Sequence, residues 1–463
     1  MAAIFDTVAA ISTPPGKGGV ALIRMSGGEA DAIAKRVFVT ASGKSYSDIK
    51  PRVQTYGFIT ESGERVDDVL LTRFPAPNSY TGEDVVEICC HGGILVTRCV
   101  LEALLSAGAR AAEAGEFTRR AFVSGKLSLT EAEAIGTLLD AGSRDQMRIS
   151  SEPSRRRLTK RVGAIRQTLV QIMSSIYARI DYPDEDLGEY SDAELLGALE
   201  SIRKELHSLA STYRTGRAVC EGISTVICGK PNAGKSSLYN LLLGEDAAIV
   251  TDVEGTTRDV LTNSIPLGKV MLRLCDTAGI RDFESADAIE RIGIEKSRNL
   301  IAKCELLFAL FDVSRPFDKN DEALISEIRK AECTKIALIN KCDLPHVLEI
   351  KNLGSSFDKI IEISTTDEID TVKELTHAVE GAFTDGSIRL GDDAIIWSAR
   401  QHAALTSAKA HLDEAIKDLQ LGFMQDAISG HVERAIGSIG ELDGRQVGEE
   451  VVSDIFARFC VGK

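Results

Sequence analysis

The residues with the clearest chemistry form a glycine-rich loop, residues 229–236 (GKPNAGKS), near the middle of the 463-residue chain. Their spacing is that of a phosphate-binding loop, whose backbone N–H groups surround phosphate oxygens. We expect Lys235 to reach the β- and γ-phosphates of a nucleotide and Ser236 to bind Mg²⁺ through its hydroxyl. A glycine-rich turn without a ligand is the alternative. The apolar run 224–228 and the amphipathic run 237–243 favour phosphate binding, because they predict the strand and the helix that this motif needs.

Two further segments carry groups that could act on the same phosphates. In GTTRD (255–259), Thr257 is a candidate for the second hydroxyl ligand of Mg²⁺ and for closing a switch loop. In DTAG (276–279), the aspartate could hold Mg²⁺ through water and the glycine N–H could meet the γ-phosphate. The apolar run 270–275 before DTAG predicts another strand, so the carboxylate would stand at a strand end.

A fourth motif, NKCD (340–343), identifies the base. It follows the apolar run 336–339, and the carboxylate of Asp343 could accept both N1–H and N2–H₂ of guanine. Adenine has no such donor pair and would leave a buried charge unpaired, so the motif favours GTP over ATP. Four motifs in this order predict a Ras-like P-loop GTPase domain over residues 218–384. Ile280 stands where Ras-type enzymes have a water-orienting glutamine, so another group must position the attacking water.

The predicted GTP contacts come from the four motifs, their flanks and the end of the last strand. They are Asn232, Ala233, Gly234, Lys235, Ser236, Ser237, Thr251, Asp252, Val253, Glu254, Gly255, Thr256, Thr257, Asp276, Thr277, Ala278, Gly279, Asn340, Lys341, Asp343 and Ser364.

Composition limits the class of protein. The net charge of −15 argues against general, non-specific binding to nucleic acid, which needs many lysine and arginine contacts. The 10 cysteines are scattered without a C-x-x-C pair, which indicates reduced thiols and a cytoplasmic location. No apolar run reaches the roughly 18 residues of a membrane helix, and the N-terminus does not have the pattern of a signal or transit peptide.

The elements around the GTPase motifs predict four segments. Residues 1–122 mix short strands and helices (α+β), 123–217 are helical, 218–384 are the α/β GTPase domain, and 385–463 are helical again. Because helices flank the GTPase domain on both sides, we predict that it is inserted into one all-α domain. Ser191 and Glu194 form a capping box at the start of one predicted helix. Thr215-Gly216-Arg217 is predicted to end that helix.

Three features remain open on the sequence alone. The loop 12–19 (STPPGKGG) is either a turn between strands or a second phosphate-binding loop. The basic run 155–166 is either a solvated helix face or a contact for nucleic-acid phosphates. His91, before two glycines, is predicted to start a helix as its cap, with a catalytic role as the alternative.

Motifs along essentially the whole chain closely resemble the MnmE (TrmE) family of tRNA modification GTPases. The resemblance is carried by the following segments, read in chain order: TPPG (13–16), the loop 79–84, HGG (91–93), GEFT (115–118), GTTRD (255–259), DTAGIR (276–281), ERIG (290–293) and the final FCVGK (459–463). Era-type ribosome-assembly GTPases share the phosphate loop and the switch threonines, but not the N-terminal domain or the tail.

The resemblance implies a specific activity. MnmE-like proteins act with the flavoprotein MnmG (GidA), which carries the FAD, to build a carboxymethylaminomethyl or aminomethyl group on C5 of the wobble uridine of certain tRNAs. The one-carbon donor is a folate, such as 5,10-methylenetetrahydrofolate or a 5-formyltetrahydrofolate-like compound, bound by the N-terminal domain. By motif matching, that site would contain Arg24, Glu83, Lys126 and Lys463.

The resemblance also implies which groups replace the water-orienting glutamine that is missing at position 280. In MnmE-like GTPases, K⁺ at the phosphate loop supplies the positive charge of an arginine finger, and Glu290 would orient the attacking water while Lys235 binds the phosphates. The implied K⁺ ligands are Asn232, Thr251, Val253 and Thr256. Two GTPase domains would meet in a homodimer, which forms a heterotetramer with MnmG.

Two interpretations of the protein's function follow from these motifs. One is a K⁺-stimulated GTPase that drives tRNA wobble-uridine modification; the other is an Era-like regulatory GTPase that acts in ribosome assembly. The N-terminal domain and the Cys460 tail favour the first, because a simple switch needs neither. Lys17, Val461, Thr365 and Thr366 depart from the family pattern, and the last two place the detail of the guanine pocket in question.

Overall fold

The structure is a computed structural model that describes residues 6–181, 191–243, 263–275, 301–423 and 425–463. The chain divides into two compact units. Unit 1 comprises residues 1–136 together with 440–463, and unit 2 comprises residues 137–439. The four-segment division drawn from the sequence stays a prediction.

Unit 1 is built on one mixed sheet with helices packed against it. Its elements are β1 (Val8–Ile11), β2 (Val20–Ser26), α1 (Ala30–Val37), β3 (Phe38–Thr40), β4 (Thr55–Glu61), β5 (Glu64–Phe74), β6 (Val85–His91), α2 (Ile94–Ser106), β7 (Arg110–Ala111), α3 (Glu116–Val123), α4 (Leu129–Leu139, which runs on into unit 2) and, near the C-terminus, the helix Glu449–Ala457. Among the described residues the strand order is β3-β4-β5-β6-β2-β1-β7.

Alternation along β2 explains how this sheet holds both a core and a site. Ala21, Ile23 and Met25 point into the main apolar core of unit 1. The intervening Arg24 therefore lies on the opposite face, since successive side chains of a strand alternate. The antiparallel register pairs Arg24 with Glu87 of β6.

Unit 2 combines long helices with a second sheet. Its elements are α5 (Arg144–Ser150), α6 (Glu152–Asp181), α7 (Asp192–Ser211), α8 (Tyr213–Cys220), β8 (Ile223–Gly229), α9 (Lys235–Leu243), β9 (Asn263–Leu267), β10 (Val270–Leu274), β11 (Leu306–Asp312), α10 (Lys319–Arg329), β12 (Thr334–Asn340), β13 (Lys359–Glu362), α11 (Glu368–Phe383), α12 (Ala399–Gln420) and α13 (Gln425–Asp443, which runs on into unit 1). The helix Glu449–Ala457 is α14.

The sheet of unit 2 has the order β13-β12-β11-β8-β10-β9 among the described residues. Neighbouring strands from β13 to β10 are parallel, and β9 pairs with β10 in the antiparallel sense. The carboxyl ends of β8, β11, β12 and β13 therefore meet at one edge of the sheet. Ligands of open parallel sheets bind at this edge.

Most of the predicted strands and helices are present, including the phosphate-loop strand and helix. The capping box at Ser191 and Glu194 is confirmed at the start of α7. The helix end predicted at Thr215–Arg217 is wrong, because α7 ends at Ser211 and these residues lie inside α8. His91 was also placed wrongly: it is the last residue of β6, and Gly93 is the N-cap of α2.

None of the helices in the described part of the chain is both long and apolar enough to cross a membrane.

Candidate functional site

The phosphate-loop motif lies between β8 and α9, as its pattern requires. Gly234 has a φ of +103°, and a Cβ there would lie 2.1 Å from Asn340 Nδ2. Gly229 has a φ of +153°, and a Cβ there would lie 2.7 Å from the Leu310 carbonyl oxygen. Both glycines are thus needed for backbone conformation and for close approach.

One buried amide joins three of the predicted nucleotide-binding segments. Asn340 is 0% exposed. Its Nδ2 donates to the carbonyl of Ala233 in the phosphate loop at 2.9 Å, and its Oδ1 accepts from the Thr365 N–H at 3.2 Å. The side chain thus holds the loop after β12 to the phosphate loop and to the segment after β13.

The charged groups of the loop lie close to its backbone. The Lys235 ammonium donates to the carbonyls of Gly229 at 3.0 Å and Lys230 at 2.8 Å. Lys341 pairs with Asp312 at the end of β11, with 2.6 Å between Nζ and Oδ2. Burial alone would raise the pKa of Asp312, but Lys341 and Ser314 lower it below its usual value. Lys235 thus places a positive charge at the motif predicted to bind phosphate, and Lys341 places one at the motif predicted to bind the base.

The structure also brings Asp343 and Ser364 together. The Ser364 hydroxyl donates to Asp343 Oδ1 at 2.7 Å. Asp343 is exposed at the sheet edge, and Ser364 is half-buried. The carboxylate predicted to bind guanine therefore has a hydroxyl partner that an entering base can replace.

The remaining loop residues of the prediction lie just before α9 or in its first turn. Asn232 has a left-handed φ of +62°. Ala233 is buried, whereas Asn232, Ser236 and Ser237 are exposed. These three polar side chains are therefore accessible to a nucleotide and its cations.

A large part of the predicted site lies outside the described residues. This applies to Thr251, Asp252, Val253, Glu254, Gly255, Thr256, Thr257, Asp276, Thr277, Ala278, Gly279 and Glu290.

The predicted folate residues form a separate polar group in unit 1. Arg24 makes an ion pair with Glu87, with 2.8 Å between Nη2 and Oε1. Its guanidinium lies over the rings of Tyr80 at 5.3 Å and Phe117 at 5.7 Å. Glu87 was missed from the sequence, although the pairing of β2 with β6 sets it opposite Arg24.

Glu83 follows the loop that approaches α3. One of its carboxylate oxygens accepts from the Ser26 hydroxyl at 2.7 Å, and Arg120 donates to both oxygens at 3.2 Å. Ser26 stands two residues after Arg24 on β2, so Arg24 and Glu83 are close in the fold. Lys126 is exposed. A Cβ added at Gly82 would lie 3.3 Å from the Lys126 Cε, so this lysine lies beside the residue that precedes Glu83.

Lys463 reaches the same region through its backbone. Its carbonyl accepts from the Phe117 N–H at 3.1 Å, and Phe117 is the ring beneath Arg24. The preceding Gly462 has a φ of +95°, and its carbonyl accepts from the Ser12 hydroxyl at 2.9 Å. All four predicted folate residues are thus linked to one region of unit 1.

Arg120 was not predicted, yet it organises the charges of this region. Its side chain is 1% exposed and contacts the carboxylates of Asp6, Glu83 and Glu116. Burial would raise the pKa of Glu116, but hydrogen bonds from Arg110, the Glu113 N–H and Arg120 bring it below its usual value. The sequence signal is Glu116 and Arg120 at i and i+4, a spacing that is common on solvated helices.

The loop 12–19 lies beside a cavity of about 370 Å³. Pro15, Lys17 and Gly18 line it together with Gly92, and the Gly18 N–H donates to the Gly92 carbonyl at 3.0 Å. The loop is thus tied to the start of α2, and the choice between a turn and a phosphate site stays open.

Comparisons with known proteins cover nearly the whole chain. The model of the GTP-binding protein TrmE N-terminus matches residues 7–126, and the model of the MnmE helical domain matches residues 129–460. The chain is 38% identical over 464 residues to the tRNA modification GTPase MnmE of Geobacillus thermodenitrificans, covering 99% of each chain. It is also 38% identical over 461 residues to the protein of the same name from Thermotoga petrophila, covering 99% of this chain and 100% of that one.

A solved structure also matches in part. It is Era of Aquifex aeolicus bound to GDP and aluminium fluoride, with 21% identity, a TM-score of 0.25, and coverage of 41% of this chain and 66% of that chain.

Proposed function

The chain belongs to the MnmE family of tRNA modification GTPases, and on that premise we propose that it hydrolyses GTP to GDP and phosphate to drive modification of a tRNA wobble uridine. The observation that carries the proposal is the junction at Asn340, which holds the phosphate loop beside the guanine-binding motif. A nucleotide bound there would have its phosphates at Lys235 and its base at Asp343.

Mg²⁺ is general to GTPases of this kind, and the loop has the chemistry to hold it. Ser236 is exposed at the start of α9 and offers a hydroxyl, which is a ligand Mg²⁺ accepts. Thr257 is the proposed second ligand. The bound ion would neutralise charge that develops on the phosphates.

We extend the proposal to K⁺ and to the attacking water. Asn232 is exposed on the phosphate loop with an amide oxygen that suits a monovalent cation. Thr251, Val253 and Thr256 are the other proposed ligands, and Glu290 is the proposed residue that orients water. This assignment rests on the family resemblance and on the isoleucine at position 280.

Turnover in K⁺ and Na⁺ tests that extension. We expect GTP hydrolysis to be faster in K⁺ than in Na⁺ at equal ionic strength, and Glu290→Ala to bind GTP while losing hydrolysis. Glu322→Ala, on the exposed side of α10, is the matched control. Equal rates in both salts would contradict the K⁺ assignment, and unchanged turnover in Glu290→Ala would contradict the role of that residue.

We propose that unit 1 binds the folate donor. Pterin has an amide-like edge that the Glu83 carboxylate could pair with, and the anionic glutamate tail of a folate suits Arg24, Lys126 and Lys463. Tyr80 is half-buried, and its ring, 5.3 Å from the Arg24 guanidinium, is available to a planar ligand. Calorimetric titration with tetrahydrofolate should detect binding that Glu83→Gln weakens.

The wider assignment follows the family. The chain would act as a homodimer in the cytoplasm and form a heterotetramer with the FAD-containing MnmG. Its 10 cysteines, all of them described, are free thiols, in agreement with a reducing compartment. Because the net charge is −15, we expect much of the tRNA affinity to come from the partner.

Mass spectrometry of tRNA nucleosides from cells that lack this protein tests the whole proposal. The carboxymethylaminomethyl or aminomethyl groups of the wobble uridine should disappear. The intact chain should restore them, and Asp276→Ala should not. An unchanged nucleoside profile would overturn tRNA modification and favour the Era-like role in ribosome assembly.

A further inference from the structure

Within the part of the chain that the structure describes, one group of three potential metal ligands lies close together. It consists of Cys342, His346 and Glu362, whose ligand atoms all lie within 4.8 Å of one another. Cys342 is half-buried, and the other two are exposed. The group lies at the carboxyl edge of the unit 2 sheet, on the loop after β12 and at the end of β13.

Backbone contacts hold the three positions in place. Ile339 of β12 pairs with Glu362 of β13, and the Cys342 N–H donates to the Ile363 carbonyl at 3.2 Å. On the other side of His346, the Val347 N–H donates to the Val313 carbonyl at 2.8 Å. The cysteine and the glutamate are therefore fixed relative to each other, and the histidine precedes an anchored residue.

The donor set selects the class of ion. A thiolate sulfur, an imidazole nitrogen and a carboxylate oxygen suit Zn²⁺ and similar transition metals, whereas Mg²⁺ and Ca²⁺ prefer oxygen alone. The spacing C-x₃-H is similar to the C-x₂₋₄-C and H-x₃₋₅-H spacings of zinc ligand pairs. Three protein ligands with a fourth position open to water is a known zinc arrangement.

The distances allow the site to close without a change of fold. Zinc binds sulfur at about 2.3 Å and nitrogen at about 2.0 Å, which sets tetrahedral donors roughly 3.3–3.6 Å apart. Donor atoms within 4.8 Å of one another need therefore approach by no more than roughly 1.5 Å. Rotation of the exposed His346 and Glu362 side chains can supply this, because neither is packed in the core.

We propose that Cys342, His346 and Glu362 bind one Zn²⁺ ion, with a fourth position open. Cys342 binds as the thiolate, and its proton passes to solvent when the metal enters. Nothing in the nucleotide-binding prediction uses these side chains; residue 342 is the variable position of the NKCD motif.

The position of this site gives it a consequence for the nucleotide. Cys342 directly precedes Asp343, so a bound metal would fix the segment that presents the guanine-binding carboxylate. We expect Zn²⁺ to tighten GDP binding several-fold, and GDP to tighten Zn²⁺ binding by the same factor, since such coupling is reciprocal. This consequence rests on the proposed GTP-binding function, whereas metal binding itself does not.

The first experiment measures metal retention by the full-length, nucleotide-free chain. The protein is treated with chelator, loaded with ZnCl₂, desalted and analysed by plasma mass spectrometry; loading with Co²⁺ gives the absorption spectrum. We expect one metal per chain and a thiolate-to-cobalt charge-transfer band. Cys342→Ser, His346→Ala and Glu362→Gln should each weaken zinc binding at least about tenfold. Even the mutation of a residue that only hydrogen-bonds a metal ligand typically lowers metal affinity 10–100-fold.

Matched controls separate this site from other thiols and imidazoles. Cys99→Ser on α2 and His377→Ala on α11 should retain one metal, and so should Cys333→Ser, whose sulfur lies 3.5 Å from that of Cys304. Circular dichroism verifies that each variant is folded, and Glu362→Gln preserves shape at an exposed position. No retained metal in the wild type, or loss with Cys333→Ser and not with Cys342→Ser, would overturn the proposal.

The second experiment titrates fluorescent GDP with and without Zn²⁺, in the wild type and in Cys342→Ser. Tighter GDP binding with Zn²⁺ in the wild type alone supports the coupling, and equal affinities overturn it. Metal retention without any GDP binding would overturn the GTP function and leave the metal site standing. GDP binding without metal retention would overturn the metal site and leave the GTP function standing.

Discussion

Asn340 shows how one residue can determine the geometry of a nucleotide site. Its amide is fully buried and satisfies both a carbonyl of the phosphate loop and an N–H after β13. The asparagine of an NKxD motif is thus explained by structure as well as by any contact with the base. Its amide also sets the space available at Gly234.

Gly234→Ala tests this packing. The new Cβ would lie 2.1 Å from Asn340 Nδ2 at a φ of +103°. Strained backbone of this kind costs about 1–3 kcal/mol, so we expect GDP affinity to fall by about 5- to 150-fold in a fluorescence titration. Gly163→Ala, in α6 with open space around it, is the control and should leave affinity unchanged. Equal affinities in the two variants would contradict the close packing.

In unit 1, Arg120 has a role like that of Asn340, because one buried side chain contacts several segments of the chain. Removing a partner from a buried charge network typically costs about 3–5 kcal/mol, since the remaining charges stay desolvated. We therefore expect Arg120→Met to lower the free energy of unfolding by about 3 kcal/mol in urea titrations. Arg119→Met should cost under about 1 kcal/mol, because its ion pair with Glu449, at 3.4 Å, lies at the surface. Similar losses in both variants would mean that the network contributes little.

At the scale of elements, the network joins the start of β1 to α3 through carboxylates whose pKa values are lowered. Arg110 and then Arg120 lower the pKa of Asp6 from its ordinary 3.8, against the effect of burial. The pKa of Glu116 is also below its ordinary 4.5. Groups with depressed folded pKa values stabilise the fold above their unfolded pKa, and that contribution is lost as the pH falls through the folded pKa.

We therefore expect unit 1 to lose stability as the pH falls from about 5 toward 3, the region at and below these ordinary values. Thermal unfolding followed at several pH values measures this dependence. Arg120→Met should show a shallower decline, because the pKa values of Asp6 and Glu116 would then lie nearer their ordinary values. A decline as steep as that of the wild type would exclude the network as its source.

The tail is a second element whose geometry can be tested. A Cβ on Gly462 would lie 2.2 Å from the Ile11 carbonyl oxygen, so Gly462→Ala should displace the residues beside Phe117. We expect weaker binding of tetrahydrofolate in calorimetry and unchanged binding of GDP. Gly28→Ala, with open space, should alter neither. Unchanged folate affinity in Gly462→Ala would separate the tail from that site.

Local patterns were sufficient for most elements, and non-local contacts explain the exceptions. The strand, loop and helix of residues 223–243 were predictable because motif and periodicity are both local. Gly216 was taken as a helix terminator, yet it lies inside α8. A Cβ there would lie 2.1 Å from the Ile396 carbonyl, so the glycine serves a tertiary contact that no local pattern reveals. His91 extends β6 because it pairs with Val20, which is equally non-local.

The same reasoning applies to the sites. The phosphate-loop and NKCD segments were predictable as candidates because each motif is contiguous, and their contacts with a nucleotide stay predictions. Glu87 was missed because its partner lies on another strand. Arg120 was missed because two of its three carboxylate partners, Asp6 and Glu83, lie outside α3. The Arg120 side chain is 1% exposed, a burial that its residue type does not indicate. The resemblance supplied Arg24 and Glu83, which residue type alone would have left on the surface.

At the scale of the whole molecule, unit 1 is assembled from two distant parts of the chain. Phe456 and Phe459 of the C-terminal segment pack with Phe122 and Leu129 in one apolar cluster. The Phe122 and Phe456 ring centroids are 6.1 Å apart. The C-terminal segment is therefore part of the core of unit 1.

Phe456→Ala tests that dependence. Removing a fully buried phenylalanine costs about 3–5 kcal/mol, so we expect limited proteolysis to cleave unit 1 readily. GDP affinity should be retained, because the altered contacts all lie inside unit 1. Val451→Ala, an exposed position on the same helix, is the control. Resistance to protease equal to that of the control would show that the cluster is dispensable.

The split of unit 1 has a consequence for biosynthesis. A ribosome releases residues 6–136 long before it makes residues 440–463, and domains generally fold as units during synthesis. The N-terminal part of unit 1 therefore cannot complete its core until about 300 further residues have been synthesised. Until then Phe122 and Leu129, which pack against Phe456, remain uncovered. During that interval the N-terminal part presents an apolar surface of the kind that chaperones bind, and codon changes that slow translation of the intervening region would lengthen its exposure.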